Sequence, residues 1–564
     1  VIHPGPYAHL GELLADALVQ FKSETALIEV SRKREVHRWT FLDVRRLAHR
    51  VARRLEAEGI GPDDRVAIAM SNQSRWLVTA TAVFLRGAVL VPLDHKLGAE
   101  EQAALLAHCR PRLLVTEEGL WRRFRARPEV PSVWVTDAPA GADLRGAAHW
   151  DALPEDDAPP PPVTRTREDI AAIVYSSGTG GAPKGCMLPH GAYLSQLDAL
   201  LELFPMGRGD RYFSILPTNH AIDFMVGFVG PFACGATVVH QRTLRPEFLG
   251  STLRAYQITH MAVVPLLLEA FERNIRQKLD EQEGWRKTAF DGLVALNRRL
   301  TDARPRHALS SKLLRPVHDA FGGHLKLLFA GGAWVDPERV RFLYELGLPV
   351  VVGYGLTEAC TVCTVNRLDP FRPDSVGRAV RGTELRLADF GPDGVGEVQV
   401  RGPTLMRGYL DDPEQSAAAM TPDGWLRTGD LGWFDAAFHL HLVGRAKNMI
   451  VTPGGKNIYP EDIEAAFDGL PADELCVFAA NYVWPRRGLG DEALIAVVRA
   501  AEPDRALADL RARNLRLPDF KRVSGVLWWA EDFPRTASMK VKRGELAARL
   551  REGAEPGAVR PLSA

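Results

Sequence analysis

The run from Tyr175 to Gly185 reads Tyr-Ser-Ser-Gly-Thr-Gly-Gly-Ala-Pro-Lys-Gly and is the most chemically suggestive stretch of the chain. Ser176, Ser177 and Thr179 supply hydroxyls, while Gly178, Gly180 and Gly181 let backbone N–H groups approach an anion with no Cβ in the way. Lys184 adds a positive charge. This is the composition of a phosphate cradle. It is not a Walker loop, which needs Gly-Lys-Ser/Thr, because Pro183 precedes Lys184 and Gly185 follows it. A plain Gly/Ser turn has the same composition, so the segment does not decide the matter alone.

Gly353, Tyr354, Gly355, Leu356, Thr357 and Glu358 follow an apolar run and lack the third glycine of a dinucleotide fingerprint. A hydroxyl and a carboxylate side by side at a strand end suit a phosphate and its Mg²⁺, an ion that prefers oxygen ligands. A helix N-cap with an acidic first turn competes equally with that reading. In Thr428-Gly429-Asp430 a carboxylate sits in a tight turn, placed to accept both hydroxyls of a ribose. Arg445 follows Gly444, and Lys540 closes the run Pro534-Arg-Thr-Ala-Ser-Met-Lys540. Singly, an Asp, an Arg or a loop lysine is ordinarily a solvated surface residue.

The elements that must position these groups can be read from periodicity. Thr40 with Asp43 three residues on reads as an N-cap, the apolar repeat runs from Phe41 to Leu55, and Gly59 ends it. Arg65–Met70 reads as a strand, Trp76–Leu85 as a helix and Val89–Leu93 as a strand. Such alternation predicts an α/β fold, a parallel sheet covered by helices. Pro159–Pro162 can enter neither a helix nor a central strand and reads as a linker. Ala171–Tyr175 reads as the strand delivering the glycine-rich loop. Leu325–Phe329 and Pro349–Val352 end in the turns Gly331-Gly332 and Gly353-Tyr354-Gly355.

Leu266 to Arg315 is charged and amphipathic and predicts helices; its Arg and Lys cluster reads as a solvated face, or as a contact for coenzyme phosphates or a membrane surface. After Gly444 the texture changes to short strands and helices, with Pro460 opening a helix whose first turn carries Glu461 and Asp462. The expected division is a large N-terminal domain of helix-covered sheets over 1–445 and a small α+β C-terminal domain over 446–564.

Composition bounds the function. The 564 residues exceed one ordinary core. With 70 basic and 70 acidic residues, the charge balance does not suggest a nucleic-acid binder. Six scattered cysteines form no disulfide framework and fit a reducing cytoplasm; Cys360 and Cys363 read as buried thiols rather than a metal site. No apolar run is long enough for a spanning helix: Phe224 to Val239 is shorter and holds three glycines and Pro231, and the first ten residues do not form a signal peptide. Phe224 and Phe228 in that run read equally as pocket wall or as core.

Taken together and in this order, the five chemical segments resemble the adenylate-forming superfamily of acyl-CoA synthetases, peptide-synthetase adenylation domains and luciferases. The resemblance runs from about Thr40 to Arg543, and the helical Leu266–Arg315 insertion and the Ile450–Glu464 wording look most like the long-chain fatty acyl branch. It implies that Ser176 to Lys184 hold the β- and γ-phosphates of ATP. Gly331, Gly332, Ala333, Gly353 and Tyr354 would flank adenine. Thr357 would touch the α-phosphate, while Glu358 with Thr179 would meet Mg²⁺. Asp430 and Arg445 would grip the ribose, and Lys540 would bridge the acid and the α-phosphate. His220 would line the carboxylate end of the acyl pocket. Lys447 would be the hinge of a mobile small domain that presents Gly454 and Gly455 to a pantetheine arm.

The implied reaction is ATP-dependent activation of a fatty or related carboxylic acid to acyl-AMP, then transfer to the thiol of CoA. An acyl carrier protein's phosphopantetheine is the alternative acceptor, and a nucleotide-binding scaffold without chemistry is the reading from another class. Three positions depart from the family pattern: Gly180 replaces Thr or Ser, Met539 replaces the Gly before the lysine, and Trp334 replaces a common proline.

Overall fold

The computed structural model describes residues 1–124, 129–176, 184–281, 284–301, 305–391, 394–451, 457–484, 493–536 and 540–562. Of these, 1–176, 184–385 and 400–426 form one compact unit, and 386–399 with 427–562 form a second.

In the first unit the apolar runs become parallel strands because each is bounded by a helix that covers it. The helix Phe41–Ala57 begins at a capping box in which the Thr40 hydroxyl accepts from the Asp43 N–H and Asp43 accepts from the Thr40 N–H. Such a cap contributes about 1 kcal/mol. Phe41, Val44, Ala48, Val51, Ala52 and Leu55 form its buried face, and Gly59 leaves the helix at φ 69°, where a side chain would be strained.

Among the described residues two large sheets result. Seven strands lie in the order Ala148–His149, Ser132–Thr136, Leu113–Glu117, Arg65–Ala69, Val89–Pro92, Ile170–Ser176 and Lys184–Pro189. The last pair is antiparallel and the others are parallel, which makes Ile170–Ser176 and Lys184–Pro189 a hairpin. The nine-stranded sheet places Arg211–Ser214, His260–Val263, Leu327–Ala330 and Val350–Tyr354 side by side and parallel. Strands buried on both faces need continuous apolar sequence, and Val350, Val351 and Val352 supply it. The expected α/β class is therefore observed, with a large sheet-rich part and a smaller one.

The second unit carries a sheet of Glu474–Ala479, Leu494–Arg499, Gly525–Trp528 and Arg560–Pro561, covered by the helices Pro460–Ala466, Pro503–Asn514 and Arg543–Gly553. Ile463, Val477, Ala496, Val498, Leu510 and Val526 form one side of its core, and Phe478, Trp484, Leu527, Leu546 and Leu550 form the other. The strands Leu426–Phe434 and Leu440–Arg445 pair antiparallel just before it in sequence. By contacts the second unit thus begins at Arg427 and takes in 386–399. The amphipathic segment after Leu266 forms the helices Pro265–Asp280, Gly284–Thr301, His307–Leu313 and Arg315–Ala320. Among the described residues no helix is long and apolar enough to cross a membrane.

Candidate active site

The hairpin register fixes both feet of the glycine-rich loop. Ser176 and Lys184 are direct cross-strand partners, as are Tyr175 and Gly185. Ser177, Gly178, Thr179, Gly180 and Gly181, five of the expected phosphate contacts, lie outside the described residues. A segment remote in sequence closes on the outer strand: Met187 N–H donates to Gly408 O and Leu410 N–H to Gly185 O. Gly185 permits this, since a Cβ there would meet the Ile173 side chain at 3.0 Å and Leu410 at 3.3 Å.

That closure brings Tyr409 and Gln415 to the loop's feet. Lys184 Nζ donates to Gln415 Oε1 at 2.9 Å and lies 4.8 Å over the Tyr409 ring. Glu358 Oε1 accepts from Ser176 Oγ and from Tyr409 OH, each at 3.2 Å. A hydroxyl and a lysine of one hairpin and a carboxylate from a turn remote in sequence therefore converge in the first unit. Neither Tyr409 nor Gln415 was expected from sequence. Burial, and next the Glu358 charge, push the Tyr409 phenol far above its usual range, so it stays a hydrogen-bond donor. The same causes raise the buried Cys186 thiol, which remains protonated and is no nucleophile.

Glu358 belongs to a single 3₁₀ turn, Thr357–Ala359, whose N-cap is Leu356. Its carbonyl accepts from the Met406 N–H at 2.8 Å. The turn follows the strand Val350–Tyr354 at once because the chain doubles back sharply: a Cβ on Gly355 would lie 1.6 Å from the Thr361 carbonyl oxygen. Thr361, a β-branched residue, sits at φ 114°, and its hydroxyl donates to Ala221 O at 3.0 Å. Such a backbone persists where the surroundings over-determine it.

One strand over, Gly331 follows Leu327–Ala330, and a Cβ on it would meet the Gly353 carbonyl at 3.0 Å. Gly332, at φ 82°, and Ala333 are exposed, as is Trp334. Two parallel strands thus end in adjoining glycine turns, where open α/β sheets bind ligands. Tyr354 is buried and Thr357 is half-buried beside them.

His220 occupies the N-cap position of the helix Ala221–Phe224 and is half-buried. Phe224 and Phe228 are packed into an aromatic cluster with Trp76, Phe84, Tyr193 and Phe232, with ring centroids 5.0–6.3 Å apart. At 2% and 0% exposure they are core residues.

The second unit holds the remaining candidates. Asp430 and Arg445 are cross-strand partners, with Arg445 Nε 2.7 Å from Asp430 Oδ1. Gly429, at φ 67°, forms the kink before Asp430, whose N–H donates to the Thr428 hydroxyl. Lys540 is exposed at the foot of a short closed loop: Thr536 N–H donates to Lys540 O at 2.8 Å, and Lys540 N–H to Thr536 Oγ at 3.1 Å. Both ends of this loop are tied down. Arg535 binds the buried Glu474 at 2.7 Å. Arg543 donates to Val477 O and pairs with Glu464 and Glu461. Glu461 also accepts from Asn448 at 2.7 Å, next to the expected hinge. Lys447 lies in the 3₁₀ turn Ala446–Asn448, while Gly454, Gly455 and Met539 lie outside the described residues.

The family description "AMP-binding enzyme" matches residues 14–410. The chain belongs to that family. This AMP-binding enzyme is 31% identical over 566 residues to a 3-[(3aS,4S,7aS)-7a-methyl-1,5-dioxo-octahydro-1H-inden-4-yl]propanoyl:CoA ligase of Mycobacterium tuberculosis, covering 94% of this chain and 97% of the relative. It is 29% identical over 523 residues to a feruloyl-CoA synthase of an Amycolatopsis species, covering 91% and 94%. Its fold matches the crystal structure of ATP-bound MatB from Rhodopseudomonas palustris at a TM-score of 0.73 and 23% identity, over 97% of this chain and 100% of that one.

Proposed function

We propose that this enzyme activates a carboxylic acid with an apolar body, a fatty or related acyl acid, as its acyl-adenylate and passes the acyl group to the thiol of coenzyme A. Its class is that of an acid–thiol ligase, as is that of the relatives named for CoA ligation. The observation that carries the reading is the convergence of Ser176, Lys184 and Glu358 at the feet of one glycine-rich loop. Those three groups suit the phosphates of ATP and their counter-ion.

In the first step a carboxylate oxygen forms a bond to the α-phosphorus, and the bond from that phosphorus to the bridging oxygen breaks, releasing pyrophosphate. The obstacle is bringing an anion to a polyanion. Lys184 offsets charge at the β- and γ-phosphates, and Lys540 offsets it between the acid and the α-phosphate, where charge builds in the in-line transition state. Thr357 donates to the α-phosphate, the Tyr354 ring stacks on adenine, and Asp430 with Arg445 takes the ribose.

Glu358 suits Mg²⁺ that arrives with the nucleotide. Among the described residues no group of three or more potential ligands forms a protein cage, and Mg²⁺ prefers one or two carboxylates with phosphate oxygens and water. When bound, with Glu358 and Thr179 as its protein contacts, the ion would supply charge neutralisation at the phosphates.

In the second step the thiol sulfur attacks the acyl carbon, AMP leaves, and the thiol proton passes to solvent. The lid is the part of the chain after Arg445, turning about Lys447. The Glu461 and Arg543 contacts make such a turn carry the Lys540 loop with it as one body, withdrawing the lysine and presenting Gly454 and Gly455. All six cysteines are free and buried, which suits a CoA-using enzyme of the reducing cytoplasm.

The test is a panel of acids assayed for ATP-dependent pyrophosphate release, with and without CoA. Release that needs an acid, with thioester formed only when CoA is present, is expected. Release without thioester would move the acceptor to a carrier-protein phosphopantetheine, and nucleotide binding without release would sink the enzyme reading.

A further inference from the structure

Asp223 is a carboxylate with no exposed surface, in the first turn of the helix Ala221–Phe224. Tyr212 OH donates to its Oδ1 at 2.8 Å, and Ser214 Oγ and Thr218 Oγ donate to its Oδ2 at 2.8 and 3.0 Å. No lysine, arginine or histidine among the described residues forms an ion pair with it. A buried carboxylate without a counter-ion is costly unless its lone pairs are filled, and here hydroxyls alone fill them. An apolar side chain would hold a helix to a strand at lower cost, so the polar arrangement needs another reason.

The partners supply one. Tyr212 and Ser214 lie on the strand Arg211–Ser214, whereas Thr218 lies in the irregular stretch that leads to His220. Asn72 holds the same stretch from the other side: its Nδ2 donates to Leu216 O at 2.6 Å and to Ser214 Oγ at 2.8 Å, and its Oδ1 accepts from Thr218 N–H at 3.0 Å. Two polar side chains therefore clamp a segment that has no ladder of its own. Gly227 marks how closely the carboxylate is fitted, since a Cβ there would lie 2.7 Å from Asp223 Oδ1. The chain then passes through a π-turn, Met225–Val229, a conformation frequent at functional sites.

We propose that Asp223 is the positioning residue of the acid site, fixing Thr218–His220 against the strand so that His220 meets the carboxylate end of the acid in one geometry. This rests on the reading of His220 as part of that site. Asp223 itself touches no substrate. The Thr361 hydroxyl on Ala221 O anchors the following residue to the Glu358 turn, so what Asp223 sets is the stretch between those two fixed points.

Three variants test it. In Asp223→Asn the amide cannot accept from all three hydroxyls as the carboxylate does, and Thr218→Val removes the loop's own bond without changing shape. Tyr212→Phe removes one bond from the strand side and leaves the loop contact intact. With ferulate, indoleacetate and decanoate as probe acids, the first two variants are expected to raise the KM for the accepted acid about tenfold, with the KM for ATP shifted less than about twofold. They should also speed amide hydrogen exchange across 215–222, while Tyr212→Phe lowers the melting temperature and leaves both readouts near wild type.

Unchanged exchange in that segment, or equal KM changes in all three variants, overturns the proposal and assigns Asp223 a structural role. The exchange arm needs no substrate. A wild-type enzyme that releases no pyrophosphate with any acid therefore refutes the functional reading, and with it the acid-site role, even where the clamp itself is seen.

Discussion

Lys184 and Lys540 each stand at the C-terminal foot of a loop with a hydroxyl residue at its other foot, Ser176 in one and Thr536 in the other. The chain holds them in different ways. Lys184 is the first residue of a strand in a seven-stranded sheet, and its ammonium is engaged by Gln415 over the Tyr409 ring. Lys540 is exposed, its backbone closed locally on Thr536, with Arg535 and Arg543 anchored on either side. Sheet register fixes a group permanently, whereas a short closed loop on an anchored base presents one. That difference is in keeping with the proposed roles, ground-state phosphate binding for Lys184 and transition-state stabilisation for Lys540.

Lys540→Ala puts that assignment at greatest risk. Loss of one preorganised donor raises a barrier by roughly 3–4 kcal/mol, so acid-dependent exchange of pyrophosphate into ATP should fall by on the order of a hundredfold or more. A near-wild-type exchange rate would remove Lys540 from the chemistry.

The fixed character of the large unit has its own signature, in Asp223. Burial pushes its carboxyl up to about 6 from 3.8, the hydroxyls of Tyr212, Ser214 and Thr218 oppose that rise, and no charged side chain contributes. Between those two pH values the folded state holds a proton that the unfolded state has lost, so stability falls as pH rises. Wild type should therefore lose about 2 kcal/mol relative to Asp223→Asn between roughly pH 4 and pH 7. Denaturant unfolding of both proteins at the two ends of that range checks it, and parallel pH profiles would show the carboxyl is not perturbed.

A smaller effect separates the two lysines directly. Lys184→Ala should raise the KM for ATP on the order of tenfold with a lesser change in kcat, the reverse of the Lys540 pattern. The same split in both variants would erase the distinction. On the proposed lid motion about Lys447, Lys447→Pro should slow thioester formation by on the order of tenfold more than adenylation. Equal loss in single-turnover assays of the two half-reactions would contradict the hinge. The smallest change expected is for Tyr409→Phe, which takes one donor from Glu358 and should cost about fivefold in kcat/KM at limiting ATP, near 1 kcal/mol.

Much of the fold was legible because it rests on local signals. The Thr40–Asp43 box started the helix where expected, and Gly59 is the left-handed residue that ends it. The strands Arg65–Ala69, Val89–Pro92, Ile170–Ser176 and Leu327–Ala330 fall within about two residues of their apolar runs, and Pro460 opens its helix. Ser176, Lys184, Glu358, Asp430 and Arg445 were legible as residue types in motifs. Their pairings were legible only as register, which alternation along a strand does not specify without its partner.

Tyr409 and Gln415 could not be read at all. They reach the site through three backbone hydrogen bonds between 407–410 and 185–187, contacts more than 200 residues apart in sequence. Asp223 is illegible in the sequence for a related reason. A lone acidic residue in an apolar run carries no pattern, and its three hydroxyl partners are recognisable only once the strand, the loop and the helix are folded together.

Oxygen transfer tests the central claim, activation at the α-phosphate, most directly. The enzyme is given ATP, CoA and an accepted acid labelled with ¹⁸O in its carboxylate, and the products are weighed by mass spectrometry. Because the attacking carboxylate oxygen stays on phosphorus when the thiol takes the acyl group, one label should appear in AMP at each turnover and none in pyrophosphate. Label in inorganic phosphate with ADP as the other product, or thioester formed with AMP unlabelled, would contradict the account.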